Sequence, residues 1–190
     1  MAYYIMQQDT LIDGARSLDG VPDNIDVEEW IQGKAVPHPG ENIVLDLSLE
    51  SGEYRGDIMD GFLTCYSDEL KEALENQGVN NVEYYPIRLR DQETNKTEGG
   101  YWLVNIIGRY DCIDMDKSEI GRHESDIDET DFEILSLVID KEKTNGAKIF
   151  RLHSDPTLVI INQELKDYFD KTDMLVGVNL IQTEMYSEWQ

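Results

Sequence analysis

The sequence predicts an α+β protein: a mixed or antiparallel β-sheet with few, short helices, containing two similar strand–helix–strand units. Three observations carry that prediction. Apolar residues recur at period two over 43–49, as in a strand with one buried face, and further short apolar runs are suited to strands. A thirteen-residue pattern recurs 95 residues downstream. Leu, Ile, Val and Phe supply 50 of the 190 residues, so a highly charged chain still has the apolar content of a folded core.

Residues 1–56 read as an irregular N-terminal segment with a short strand and a short helix. The strand is expected over residues 3–6. Asp26 and Glu29 have capping-box spacing ahead of Trp30-Ile31, which predicts a helix over 27–34. Pro37-His38-Pro39-Gly40 then breaks the chain. Ile43, Leu45, Leu47 and Leu49 recur at period two and predict a strand.

Residues 57–190 hold the repeat, with copies within 57–90 and 149–182. The first copy runs Phe62-Leu63-Thr64-Cys65-Tyr66-Ser67-Asp68-Glu69-Leu70-Lys71-Glu72-Ala73-Leu74. The second runs Thr157-Leu158-Val159-Ile160-Ile161-Asn162-Gln163-Glu164-Leu165-Lys166-Asp167-Tyr168-Phe169. Each begins with five residues suited to a strand, at 62–66 and 157–161. Each then offers an N-cap, Ser67 or Asn162, whose side-chain oxygen accepts from the free amides of a first helical turn. Leu70, Ala73, Leu74 and Leu165, Tyr168, Phe169 place an apolar stripe on each helix. Gly78 is expected to end the first helix. A second strand is expected in each copy, over 82–89 and 176–181. Pro86 puts the first of these at a sheet edge or a bulge. Between the copies, residues 91–100 read as a loop, and 101–107, 110–115, 133–140 and 147–152 as strands. Lys141 to Gly146 reads as a turn signalled by Asn145-Gly146. The whole is expected to form one compact domain.

Forty Asp and Glu face sixteen Lys and Arg, a formal net charge of −24. Phosphate contact needs clustered cations, so a nucleic-acid binder with a basic face is excluded. Docking on an anionic membrane is disfavoured for the same reason. The first eight residues carry no positive region and no long apolar stretch, so no signal peptide is expected there. Cys65 and Cys112 fit no redox or zinc spacing and sit in apolar runs, which points to buried free thiols. The expected location is cytoplasmic.

Catalytic signatures are sparse, and no cofactor or metal is expected. There is no Gly-x-Ser-x-Gly elbow and no phosphate loop. His153-Ser154-Asp155 holds the triad residue types, but neighbours in sequence cannot converge as a triad does. Asp114-x-Asp116-x-Ser118 opens like a calcium loop, then places Glu119 where Gly is required and Ser125 where Glu is required. Asp126-x-Asp128-x-Thr130 fails likewise, with Asp131 at the sixth position.

The densest acidic stretch, residues 124–133, has six acids in ten. A solvated loop held open by self-repulsion would account for the charge. Ile127 and Phe132 add apolar anchors that such a loop does not need. Asp126, Ile127, Asp128, Glu129, Asp131, Phe132 and Glu133 are therefore the expected contacts for a basic protein partner.

One run is distinctive: Gly99-Gly100-Tyr101-Trp102-Leu103-Val104-Asn105-Ile106-Ile107-Gly108-Arg109-Tyr110-Asp111-Cys112-Ile113-Asp114-Met115-Asp116-Lys117-Ser118-Glu119. Its flanks are Leu63 to Leu70 and Ile149-Phe150-Arg151-Leu152 through Lys166. Together they resemble the eleventh immunity-protein family of bacterial polymorphic toxin systems, over about residues 57–181. The second helix opens Asn162-Gln163-Glu164 where that family usually has Ser-Glu, and the middle acidic loop is particular to this chain. The resemblance implies a non-enzymatic protein that binds a cognate toxin and masks its active surface; the acidic charge makes a basic toxin the expected partner. It implies no catalytic residues; Asn105, Asp114 and Ser118 would fix strand ends and turns. Two alternatives stay open: a small carboxylate- or metal-dependent hydrolase, and a regulatory interaction module without a toxin partner. Converging acids around a cation in a deep pocket would favour the hydrolase. The sequence leaves the oligomeric state open.

Overall fold

Strands and helices alternate along the chain in an order that mixes local hairpins with distant pairings. The structure, a computed structural model, describes residues 2–121 and 133–186. The first part supplies β1 (Tyr3–Gln8), β2 (Leu18–Asp19), α1 (Val27–Trp30), β3 (Ile43–Leu47) and β4 (Ile58–Met59). The first repeat copy follows as β5 (Cys65–Ser67), α2 (Asp68–Asn76) and β6 (Val82–Arg90). The middle gives β7 (Thr97–Ile106), β8 (Arg109–Tyr110), β9 (Glu119–Gly121), β10 (Glu133–Ser136) and β11 (Ile149–Leu152). The second copy is β12 (Val159–Asn162), α3 (Gln163–Thr172) and β13 (Val178–Gln182).

Two mixed sheets result, as expected for an α+β chain. One has the strand order β2-β3-β6-β7-β5-β4, the other β13-β1-β12-β11-β8, and β9 pairs with β10 apart from both. The two repeat copies fold alike. β5 and β6 both run antiparallel to β7, which lies between them. β12 and β13 both run antiparallel to β1, which lies between them. Each copy is thus a strand–helix–strand crossover that leaves room for one inserted antiparallel strand.

The equivalence extends to single residues 95 positions apart. The Ser67 hydroxyl accepts from the Leu70 N–H at 3.0 Å, and the Asn162 side-chain oxygen accepts from the Leu165 N–H at 3.1 Å. Each caps the free amides of its helix. Leu70 and Leu165 are fully buried. Both helices end in a left-handed residue, Gly78 at φ 75° and Asp173 at φ 49°.

The core forms three clusters. One is shared by the units: Tyr66, Leu70, Leu74 and Val104 meet Met6, Ile161, Leu165 and Phe169. A second lies on the other face of the six-stranded sheet, where Ile25 and Trp30 cover Leu45, Tyr85, Ile87 and Leu103. The Trp30 indole donates to the Val104 carbonyl at 2.8 Å, which fixes the covering segment. The third lies on the other face of the five-stranded sheet, where Cys112, Ile113, Ile134 and Leu137 cover Ile5, Phe150 and Ile160.

Several elements differ from the sequence reading. The strand expected over 62–66 is shorter and later, and Phe62 is 72% exposed. The chain bends there because Asp60 is clamped to β1: its carboxylate accepts from the Gln8 N–H at 2.9 Å, and its own N–H donates to the Gln8 side chain at 3.0 Å. The expected loop over 91–100 contains the start of β7. Gly99-Gly100 is a bulge, since the one residue between Ile87 and Leu89 opposes the two between Glu98 and Tyr101, with Gly100 at φ 93°. Helix α1 is one turn, capped by Asp26, whose carboxylate accepts from the Glu28 and Glu29 N–H groups. The 110–115 strand shrinks to β8, and Ile113 instead bridges Ile139. Pro86 sits where β6 is bonded to β7 alone, because pairing with β3 begins at Ile87. Lys141–Thr144 is a single 3-10 turn closed by Asn145 and Gly146, both left-handed.

Candidate partner-binding surface

Of the residues expected to contact a partner, Asp126, Ile127, Asp128, Glu129, Asp131 and Phe132 lie outside the described residues. Glu133 opens β10, which pairs with β9 through Glu133 opposite Gly121.

The chemistry-bearing residues inside the described part have structural employment. The His38 ring accepts from the Gly40 N–H at 3.1 Å and packs edge-on against Tyr85. Asp155 closes a turn by accepting from the Thr157 N–H at 3.0 Å, and His153 donates and accepts through its backbone. Cys65 and Cys112 are free and buried. Burial pushes both thiols up, that of Cys112 to about 12. Asn105 is buried and donates to the Lys34 carbonyl at 2.8 Å and to Glu83 at 3.0 Å. The Ser118 hydroxyl accepts from the Val138 N–H at 2.9 Å, and the Asp114 carbonyl accepts from the Lys117 and Ser118 N–H groups. No group of three His, Cys, Asp or Glu side chains suited to a metal ion occurs among the described residues.

A surface site does form where the two repeat units meet. Its floor is Asp57, 5% exposed. One carboxylate oxygen accepts from the Ser67 hydroxyl at 2.5 Å and the other from the Val176 N–H at 2.7 Å. The backbone repeats the link: Asp57 N–H donates to the Val176 carbonyl at 2.8 Å, and Ser67 N–H donates to the Asp57 carbonyl at 2.9 Å. One side chain thus ties the N-cap of α2 to the loop after α3. Above it opens a cavity of about 460 Å³, walled by Arg55, Asp68, Tyr101, Met174 and Val176 among others.

The walls are polar and aromatic. Arg55 lies over the Tyr101 ring at 5.5 Å and pairs with Glu98 at 3.6 Å; Arg16 pairs with the same carboxylate. Burial raises the Tyr101 phenol, and it donates to the Gly56 carbonyl at 2.8 Å. Asp68 accepts from the Trp102 indole at 2.6 Å, and Lys71 stands over that ring at 4.8 Å. Val176 is 44% exposed at the rim, two residues before β13. Such a site offers a mixed-charge recess with apolar edges, the composition of a contact patch.

Sequence reasoning missed this site. Asp57 and Ser67 are ten residues apart and Asp57 and Val176 are 119 apart. No local pattern marks such a pairing; the recurrence of the caps was the available hint that the two helices would be placed alike.

No helix among the described residues is long and apolar enough to cross a membrane. None of the curated proteins compared with the chain matches it. The family model described as Immunity protein family (Imm11) matches residues 3–183, which takes in β1 and both repeat units. The match covers nearly the whole sequence, and the chain belongs to the Imm11 immunity protein family.

Proposed function

We propose that this protein neutralises a cognate bacterial toxin by binding it and masking its active surface, in the cytoplasm of the cell that makes both. The observation that carries the reading is the match to an immunity family along residues 3–183. The charge of −24 supports a basic toxin as partner. A toxin that attacks nucleic acid carries cations where phosphate binds, and an acidic protein competes there. Encounter would then be fast at low salt and slower as salt rises. The role asks for a binding surface and no turnover. It is expected to serve competition between bacteria.

The test is co-expression with the toxin domain encoded beside this gene. Growth should be restored, and the two proteins should co-purify in a complex that weakens with salt. Toxicity unrelieved by this chain, with no complex at low salt, would remove the reading.

A further inference from the structure

Edges of sheets present unpaired backbone N–H and C=O groups, and proteins blunt them with short strands or charged residues. Three of the four edge strands of the two large sheets follow that rule. β2, β4 and β8 are two residues long. β13 is the exception, with five residues, Val178-Asn179-Leu180-Ile181-Gln182. It lies within residues 174–183, one of two ten-residue runs without Asp, Glu, Lys or Arg. The other, 99–108, contains most of β7, which is paired on both sides. β13 thus has the composition of an interior strand and the position of an edge.

The phase of the ladder identifies which groups are free. The Asp9 N–H bonds the Gly177 carbonyl, in register with the pairs Gln8–Val178 and Gln7–Asn179. Bonded and non-bonded pairs alternate in an antiparallel ladder. Gly177, Asn179 and Ile181 therefore turn their backbone groups to β1, and Val178, Leu180 and Gln182 turn theirs outward. No described residue pairs with the outward groups of Val178 and Leu180 or with the Gln182 N–H, while the Gln182 carbonyl opens the 3-10 turn that follows the strand. The strand itself is firmly seated, with Val178 and Leu180 packed on the shared core and Ile181 on the third cluster.

We propose that β13 is the docking edge for an extended strand of the toxin, which joins the five-stranded sheet next to β13 as its sixth strand. This rests on the immunity reading above and specifies its contact. The charge selects the occupant. A second copy would bring another −24 against the first, which opposes pairing of like edges. The run is bounded by Asp173 and Glu184, so an incoming apolar strand flanked by Lys or Arg meets an acid at each end. Main-chain bonds then supply affinity, and the flanking charges select a strand with cationic ends.

The experiment is amide hydrogen exchange of the full chain, alone and with the purified, catalytically inactivated toxin domain encoded beside its gene. In the free protein the Asn179 and Ile181 amides should be protected and the Val178 and Leu180 amides should exchange quickly. In the complex all four should be protected. Gln182→Pro is the companion variant. Gln182 sits at φ −58°, which proline adopts without strain, and its N–H points outward. The variant should keep its circular dichroism and melting profile and bind the toxin about tenfold more weakly, the upper worth of one backbone hydrogen bond. A complex in which Val178 and Leu180 still exchange freely, or undiminished binding by the folded variant, overturns the proposal and leaves the immunity reading intact. Protection of both amides in the free protein with a dimeric mass overturns it in favour of a second copy. Absence of any complex defeats the immunity reading itself, and this proposal with it.

Discussion

Replacing Asp57 by Ala should destabilise the protein far more than an average surface substitution. The carboxylate accepts two hydrogen bonds, from the Ser67 hydroxyl at 2.5 Å and from the Val176 N–H at 2.7 Å, at a position 5% exposed. Bonds to a charged group contribute about 1.5–3 kcal/mol each, and removing the acceptor also leaves buried donors unpaired. The expected loss is about 3–5 kcal/mol. With a urea slope on the order of 2–3 kcal/mol/M, the midpoint falls by about 1–2.5 M. Urea unfolding followed by the fluorescence of Trp30 and Trp102 measures it. Asp57→Asn should lie between the two, because its amide oxygen still accepts from Val176. A double-mutant cycle with Ser67→Ala should return a coupling of about 1 kcal/mol or more. An Asp57→Ala protein within about 0.5 kcal/mol of the parent would refute the claim that this side chain ties the two units together.

The helix ends give a paired expectation: Asp173→Gly should stabilise by about 0.5–1 kcal/mol, because it relieves a left-handed non-glycine residue, whereas Gly78→Ala should destabilise by a similar amount. Thermal melts of the two variants read the opposite signs. Burial pushes the Asp60 carboxyl above its ordinary 3.8, so its ionisation opposes folding. The parent loses stability as pH rises from that value through the raised one, and Asp60→Asn does not, so the variant's relative stability should climb across that window and then level off. A flat difference from pH 3 to pH 7 would show that the side chain is not desolvated. Replacing Asp126, Asp128, Glu129 and Asp131 together by Asn or Gln should slow toxin association and flatten its salt dependence; unchanged kinetics in a flow-based binding assay would assign that stretch to solvent.

What the sequence showed depends on how local each cause is. Ser67 and Asn162 were legible as caps because the oxygen and the amide it serves lie three residues apart. The stripe of Leu70, Ala73 and Leu74 was legible for the same reason. Phe62 was misplaced in a strand because the bend beside it is set by Gln8, 52 residues from Asp60. Gly99-Gly100 carries the same residues whether it turns the chain or bulges a strand, and only the partner β6 decides. Sheet order was hidden altogether, since nothing in residues 3–8 announces that they will lie between β12 and β13. The proposed contact surface suffered most. The acidic stretch was visible as composition, whereas the Asp57 junction and the outer edge of β13 exist only once distant segments have been brought together.

The position of β1 has a consequence for how the molecule is made. As the nascent chain leaves the ribosome, the first unit has all its strands, from β5 to β7, by Ile106. The second does not, because its middle strand emerges first and its two flanking strands last. Residues 3–8 must therefore remain unpaired through most of synthesis, and closure of the five-stranded sheet is a late event with a large sequence separation to cross. A truncation between Ile106 and Val159 would leave one finished half and an unpaired apolar ribbon over residues 3–8, ready to pair with whatever strand it meets first.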